Sequence, residues 1–176
     1  MGPEGGKEAA ASDEQPGRKL VLLTGATGFV GGLCRQHWRD QPLWDLRLGD
    51  VRPMAEAVDA SRTPGQGSAE LAVHEEFVEL DIANYGQFLS ACQGVDTVVH
   101  LAATPGGPQE SYSSDSGRWG TDEAGGHDDP QSFMNEYLPK NIVGMYHAFA
   151  ASAQAGGKRL VIASSVQAVL GGSVGR

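Results

Sequence analysis

Basic residues, cysteine and long apolar runs are all scarce in this 176-residue chain. The 13 Lys and Arg stand against 22 Asp and Glu, for a net charge of −9, and they are scattered rather than striped. A nucleic acid or an anionic membrane would find no cationic face, so neither is expected as a partner. No segment approaches the roughly 18 consecutive apolar residues of a membrane-spanning helix. The two cysteines, Cys34 and Cys92, fall inside helical patterns without metal-ligand spacing. They read as reduced thiols, and no metal site is expected. Residues 1–17 are rich in Gly, Glu, Ala, Asp and Pro and hold no apolar stretch. A disordered tail is expected there rather than a secretory leader or an anchor, and a cytoplasmic setting follows from both readings.

Glycine, by contrast, is abundant, and eight residues use it with purpose. Thr24-Gly25-Ala26-Thr27-Gly28-Phe29-Val30-Gly31 follows the apolar run Lys19-Leu20-Val21-Leu22-Leu23 and opens onto helical spacing. Strand, glycine turn and helix start together make the arrangement that receives a dinucleotide pyrophosphate. Gly25 allows the tight turn, Gly28 lets backbone N–H groups approach the phosphates, and Gly31 lets the helix close on the strand. With 25 Gly in the chain, the spacing alone is weak evidence. A second strand, residues 45–50, strengthens it by ending in Asp50, 19 residues after Gly31. At that distance a carboxylate accepts hydrogen bonds from the adenosine ribose, and its charge would repel a 2′-phosphate. NAD is therefore expected over NADP, with Arg52 close enough to soften the preference.

One domain, residues 18–176, fits this length, which buries about 70% of the surface exposed by the unfolded chain. Residues 29–40 have helical spacing, with Val30, Leu33, Cys34, His37 and Trp38 as the expected inward face. Residues 53–69 form a Pro-, Gly- and Ser-rich connection, with room for a short helix over 54–60. Residues 76–80 and 96–101 read as the third and fourth strands, separated by a helix over 84–93. The fourth is almost wholly apolar, as a strand covered on both faces should be. Residues 104–129 show little periodicity and are too long for an ordinary strand-to-helix connection; they are a substrate-side loop or a disordered insertion. Trp119 and His127 inside them are given no role. A long helix is expected over 130–155, with Phe133, Tyr137, Ile142, Met145, Ala148 and Phe149 on one face and Gly156-Gly157 as its stop. Residues 158–164 make the fifth strand. Alternating strands and helices with right-handed crossovers predict an α/β Rossmann-type parallel sheet in order 3-2-1-4-5, with helices on both faces.

These segments, from about residue 19 to 170, resemble the extended short-chain dehydrogenase/reductase family, also called NAD-dependent epimerase/dehydratases. The family fingerprint TGxxGxxG is matched by residues 24–31. Asp81-Ile82 is similar to the family's acidic-apolar pair, whose carboxylate can accept the adenine amine; the local alternative is that Asp81 caps the following helix. His100-Leu101-Ala102-Ala103 is similar to its HxAA segment, whose small residues leave room for the cofactor. Asn141 stands where the family keeps an asparagine on the helix behind the active site, serving either as a structural hydrogen bond in the helix kink or in a proton relay. Ala163-Ser164-Ser165 resembles the end of strand five, which supplies a catalytic hydroxyl. The wording around Asp50 and Ser165 is closest to uronate-dehydrogenase-like members, in which the second serine works, so Ser165 is the expected catalytic hydroxyl.

Family chemistry also needs a tyrosine and, four residues later, a lysine after strand five, and no tyrosine follows Tyr146. Tyr137 and Lys140 are three apart and on another helix. The resemblance thus implies the NAD-binding front part of an oxidoreductase or epimerase acting on a sugar, uronate or sugar nucleotide, inactive as it stands. The alternative is a non-catalytic, NAD-responsive regulatory or interaction protein. With no P-loop lysine after the glycines, a nucleoside-phosphate hydrolase is disfavoured. A fifth strand left at the sheet edge predicts self-association.

Overall fold

Four consecutive apolar residues, Leu20 to Leu23, fill the first strand, and the sheet uses both of its faces. The computed structural model describes residues 17–58, 67–104, 112–113, 118–119 and 130–164. Strands β1 (Lys19–Thr24), β2 (Trp44–Asp50), β3 (Glu75–Glu79) and β4 (Thr97–His100) lie parallel, with β3, β2, β1 and β4 side by side. The last strand of the sheet is β7 (Arg159–Ile162), paired with β4. Because β7 is the fifth strand of the sheet in chain order, the 3-2-1-4-5 arrangement expected from the sequence is the one observed.

On one face, Val21, Leu23, Leu46, Leu48 and Val99 pack with Ala26, Met54 and Ala57, and Cys34 and Trp38 close over them. On the other, Leu22, Leu80 and Val98 pack with Phe88, Ala91, Cys92, Ala148 and Ala151. Successive residues of β1 and β4 therefore point into different cores, as period-two geometry requires.

Helix α1 (Phe29–Trp38) turns a different face inward from the one the apolar spacing suggested. Gly31 and Arg35 are buried, whereas Val30, Leu33 and His37 are exposed. Gly31 fixes the rotation: a Cβ there would lie 2.1 Å from the Gly25 carbonyl oxygen, so this residue must face the turn. Residues 34, 35 and 38 then follow on the same side.

Helix α2 (Tyr85–Ala91) starts at Asn84, whose Oδ1 accepts from the Gln87 N–H at 3.2 Å; Asn84, not Asp81, is the cap. The single long helix expected over 130–155 is divided into α3 (Pro130–Ser132), a π-helical stretch (Phe133–Val143) and α4 (Gly144–Gln154). Pro139 brings no N–H to the ladder, and the wider π turns rotate the face that follows. Tyr137, Gly144, Ala148, Ala151 and Ser152 are buried, while Phe133, Ile142, Met145 and Phe149 are exposed. Only Tyr137 and Ala148 of the expected face point inward. The stop at Gly156 holds: its φ is +77°, and the Gly157 N–H donates back to Ser152 O at 2.8 Å.

Within 104–129, expected to lack regular structure, β5 (Tyr112–Ser113) and β6 (Arg118–Trp119) form a small antiparallel pair, with Tyr112 opposite Trp119. His127 lies outside the described residues, as do residues 1–16 of the expected tail.

An ion pair binds α1 to β3. Arg35 Nε and Nη2 donate to Glu75 Oε1 and Oε2 at 2.9 and 2.6 Å, and the guanidinium also bonds the carbonyls of Ser68 and Glu70. Burial pushes the Glu75 carboxyl up, but the Arg35 hydrogen bond, the Ala72 N–H and the charges of Arg35 and Arg39 together outweigh it and hold the group below its ordinary range. Both side chains are almost wholly enclosed. Arg35→Ala would leave a carboxylate buried without its partner and should cost about 3–5 kcal/mol in urea unfolding. Arg35→Met combined with Glu75→Leu should cost clearly less than the single change.

Candidate cofactor site

At the C-terminal edge of the sheet the strand order reverses between β1 and β4, where a parallel α/β sheet leaves its crevice. Three features converge on the β1–α1 turn there. Gly25 has φ +73°, and a Cβ at that position would stand 2.8 Å from the backbone N of Ala102. Gly28 is the N-cap of α1, makes no side-chain cap, and is followed by no acid in the first turn. Within α1 itself no side chain compensates the positive end of the helix dipole.

Asp50, at the end of β2, is buried and aimed at this turn: its Oδ2 accepts from the Thr27 N–H at 3.0 Å and its Oδ1 from the Arg52 N–H at 3.1 Å. Arg52 Nε stands 3.9 Å from Oδ1. Each carboxylate oxygen keeps a lone pair for a further donor. The Val58 N–H donates to Thr27 O at 2.9 Å, folding the chain after Asp50 against the turn. Thr27 Oγ1 is buried without a hydrogen-bond partner among the described residues. Phe29 is partly buried, and Val30 projects outward.

Asp81 and Ile82 follow β3, beside the end of β2; the Leu80 N–H donates to Asp50 O at 3.0 Å. Asp81 Oδ1 accepts from the Ala83 N–H at 2.9 Å, and Ile82 is buried in the core beneath α4. On the far side of the turn, β4 runs on into Leu101, Ala102 and Ala103. Asn141 grips this segment with both ends of its amide: Oδ1 accepts from the Thr104 N–H at 2.7 Å and Nδ2 donates to Thr104 O at 2.9 Å. Its hydrogen bonds leave the helix for the end of β4 and do not close within a helix kink, one of the two roles the sequence left open. Ser164, after β7, is exposed; Ser165 lies outside the described residues.

The sequence reading gave no part to Thr24 or to His100 itself. Thr24 Oγ1 accepts from the N–H groups of Leu101 and Ala102, each at 3.2 Å, and lies 2.8 Å from His100 Nδ1. With both lone pairs engaged, the hydroxyl donates its own proton, so Nδ1 accepts and the imidazole is neutral. Burial pushes the His100 pKa down to about 4. The signal was legible only in three dimensions, since 76 residues separate the partners.

A dinucleotide fits these groups: there is a Cβ-free cradle at Gly25, Gly28 and Gly31, an uncapped helix end, a buried carboxylate with spare lone pairs, and an orphaned hydroxyl at Thr27. Fold and turn together define a Rossmann-type dinucleotide-binding protein. The model of the NAD-dependent epimerase/dehydratase family matches residues 21–128, and the chain belongs to that family. It is 28% identical over 145 residues to a uronate dehydrogenase of Pseudomonas putida, covering 82% of this chain and 40% of that protein. A solved uronate dehydrogenase of Agrobacterium tumefaciens, a variant complexed with NAD, is 26% identical with a TM-score of 0.55, over 84% of this chain and 41% of the other. The structure of Pen from Bacillus thuringiensis, 20% identical with a TM-score of 0.60 over 86% of this chain and 39% of that one, shares the fold. This chain thus spans about two fifths of the length of the curated relatives it matches.

The His100 latch has a pH signature. In the unfolded chain the imidazole titrates near its ordinary 6.5, and in the folded chain near 4. Between these values the unfolded state binds more protons, so stability falls as the pH drops from 6.5 toward 4, by about 3 kcal/mol in full. Chemical unfolding of His100→Asn over the same range should show a flatter slope, and an unchanged slope would contradict the assignment.

Proposed function

We propose that this chain binds NAD at the β1–α1 turn and is the cofactor-holding portion of an NAD-dependent oxidoreductase or epimerase acting on a sugar, a uronate or a sugar nucleotide. The observation that carries the reading is the Asp50 carboxylate standing within 3.0 Å of the Thr27 amide, beside an uncapped helix end. The amides around Gly25, Thr27, Gly28, Phe29, Val30 and Gly31 would receive the pyrophosphate. Asp50 would take the adenosine ribose hydroxyls, and Asp81 with Ile82 the adenine. The cofactor supplies hydride acceptance and donation when bound. Leu101, Ala102 and Ala103 would leave room for its nicotinamide half, and Asn141 keeps that segment in place through Thr104. Ser165 would hydrogen-bond the substrate oxygen at the end of β7. The similarity to uronate dehydrogenases favours a uronate among these substrates.

The sequence holds no Tyr-x-x-x-Lys after β7. Tyr137 is buried, and Lys140 is paired with Glu136 at 2.5 Å, so neither replaces that pair. We infer that this chain alone holds the dinucleotide without turning it over.

Thermal melting tests the cofactor assignment. Ligand at 100 times its Kd adds about 2.7 kcal/mol, which for a chain of this size moves Tm by roughly 5–10 °C. NAD should raise Tm by that much and NADP by less, and Asp50→Ala should erase the difference, each shift taken from the variant's own melting point. Equal responses in the wild type would contradict the role given to Asp50.

Among the described residues β7 is an open edge, with Val161 52% exposed, and Ile142, Met145, Tyr146 and Phe149 add apolar surface on α4 and the turn before it. We propose that the chain self-associates through this side. Light scattering should show mass rising with concentration; a monomer at high concentration would oppose the proposal.

A further inference from the structure

Behind the turn that follows β3, one α4 side chain controls a peptide unit next to Asp81. His147 Nδ1 lies 2.9 Å from Ile82 O, and since a carbonyl only accepts, Nδ1 carries the proton. The ring is held edge-on by Tyr85, at 5.3 Å and 60° between planes, and the Tyr85 hydroxyl donates to Gln154 Oε1 at 2.5 Å. One turn earlier in α4, Gly144 leaves room for the Ile82 side chain: a Cβ there would stand 3.1 Å from Ile82 Cδ1. Helix α4 thus fixes Ile82 twice, through its carbonyl and through its side chain.

The bonded carbonyl belongs to the same rigid peptide plane as the Ala83 N–H, which donates to Asp81 Oδ1 at 2.9 Å. A continuous chain of hydrogen bonds therefore runs from His147, across the 82–83 peptide, to the Asp81 carboxylate, and such chains polarise and align their members. The Asp81 N–H is spent on Gln87 Oε1 at 2.8 Å. Among the described residues Asp81 Oδ2 has no partner, so one oxygen is left for a donor from outside.

We propose that His147 is a positioning residue that sets the Asp81 carboxylate toward the exocyclic amine of adenine, and so makes the site select adenine over a purine with a carbonyl at that position. The inference rests on the reading that the chain binds NAD. With the pyrophosphate at β1 and the ribose at the end of β2, the base comes next in line, at the end of β3. A carboxylate there accepts from an amine and repels a carbonyl oxygen.

The test is calorimetric titration of the 176-residue chain with NAD and with nicotinamide hypoxanthine dinucleotide. Wild type should favour NAD by about tenfold or more, the scale of one charge-assisted hydrogen bond. His147→Ala should weaken NAD and leave the hypoxanthine analogue within about twofold, bringing the ratio close to one, while His147→Asn, which keeps a donor, should restore part of it. His147→Phe, which fills the space without a donor, serves the same comparison if the alanine variant does not fold. An unchanged ratio in the donor-free variants, equal weakening of both dinucleotides, or a wild type indifferent between them would overturn the positioning role. A wild type that binds neither would overturn the NAD reading instead.

Discussion

A carboxylate at the end of one strand holding the backbone of the neighbouring strand's turn is the interaction on which this site depends. Asp50 accepts the Thr27 N–H, and the Val58 N–H reaches back to Thr27 O, so the β1–α1 turn is clamped from the β2 side at both faces of one residue. The clamp works only because the turn is built at close range. Gly31 lies against the Gly25 carbonyl and Gly25 against the backbone of Ala102, in spaces that no side chain could enter. Asp50 is therefore both a structural acceptor and a charged group held against the turn.

The opposite side of the crevice is built on neutral polarity. Thr24, His100, Leu101 and Ala102 share one hydroxyl, which closes the join between β1 and β4 without bringing a charge near the turn. Asn141 repeats this device further on, pairing with both backbone groups of Thr104 as another strand would. Between a carboxylate on the β2 side and neutral hydrogen bonds on the β4 side, the edge of the sheet has an electrostatic direction. That asymmetry suits a cofactor with a ribose to be gripped at one end and a ring to be left accessible at the other.

Much of this was legible from local pattern. The glycine turn, the acid that ends β2 and the strand order follow from short-range periodicity and spacing, and those rules act within one element or one crossover. Helix rotation was less legible. In α1 the buried positions follow Gly31, whose close contact outranks the apolarity of Val30 and Leu33. Around Pro139 the π-helical turns shift the phase, so Gly144 and Ala151 join the expected Ala148 in facing inward, while Ile142, Met145 and Phe149 turn outward. Side-chain latches such as Thr24–His100, Asn141–Thr104 and His147–Ile82 join residues 37 to 76 apart, and no local pattern marks them.

The chain belongs to the NAD-dependent epimerase/dehydratase family and spans about two fifths of the uronate dehydrogenases it resembles. The central claim is that the diphosphate sits on the residue 25–31 turn with the ribose at Asp50. A two-dimensional amide NMR titration with NAD tests it most directly. The account predicts that the largest shifts fall on the amides of Gly25 to Gly31, Asp50, Asp81 and Leu101 to Ala103, while α2 residues away from the edge, such as Ser90 and Ala91, stay fixed. Saturable shifts that spare the glycine turn and collect elsewhere would contradict it.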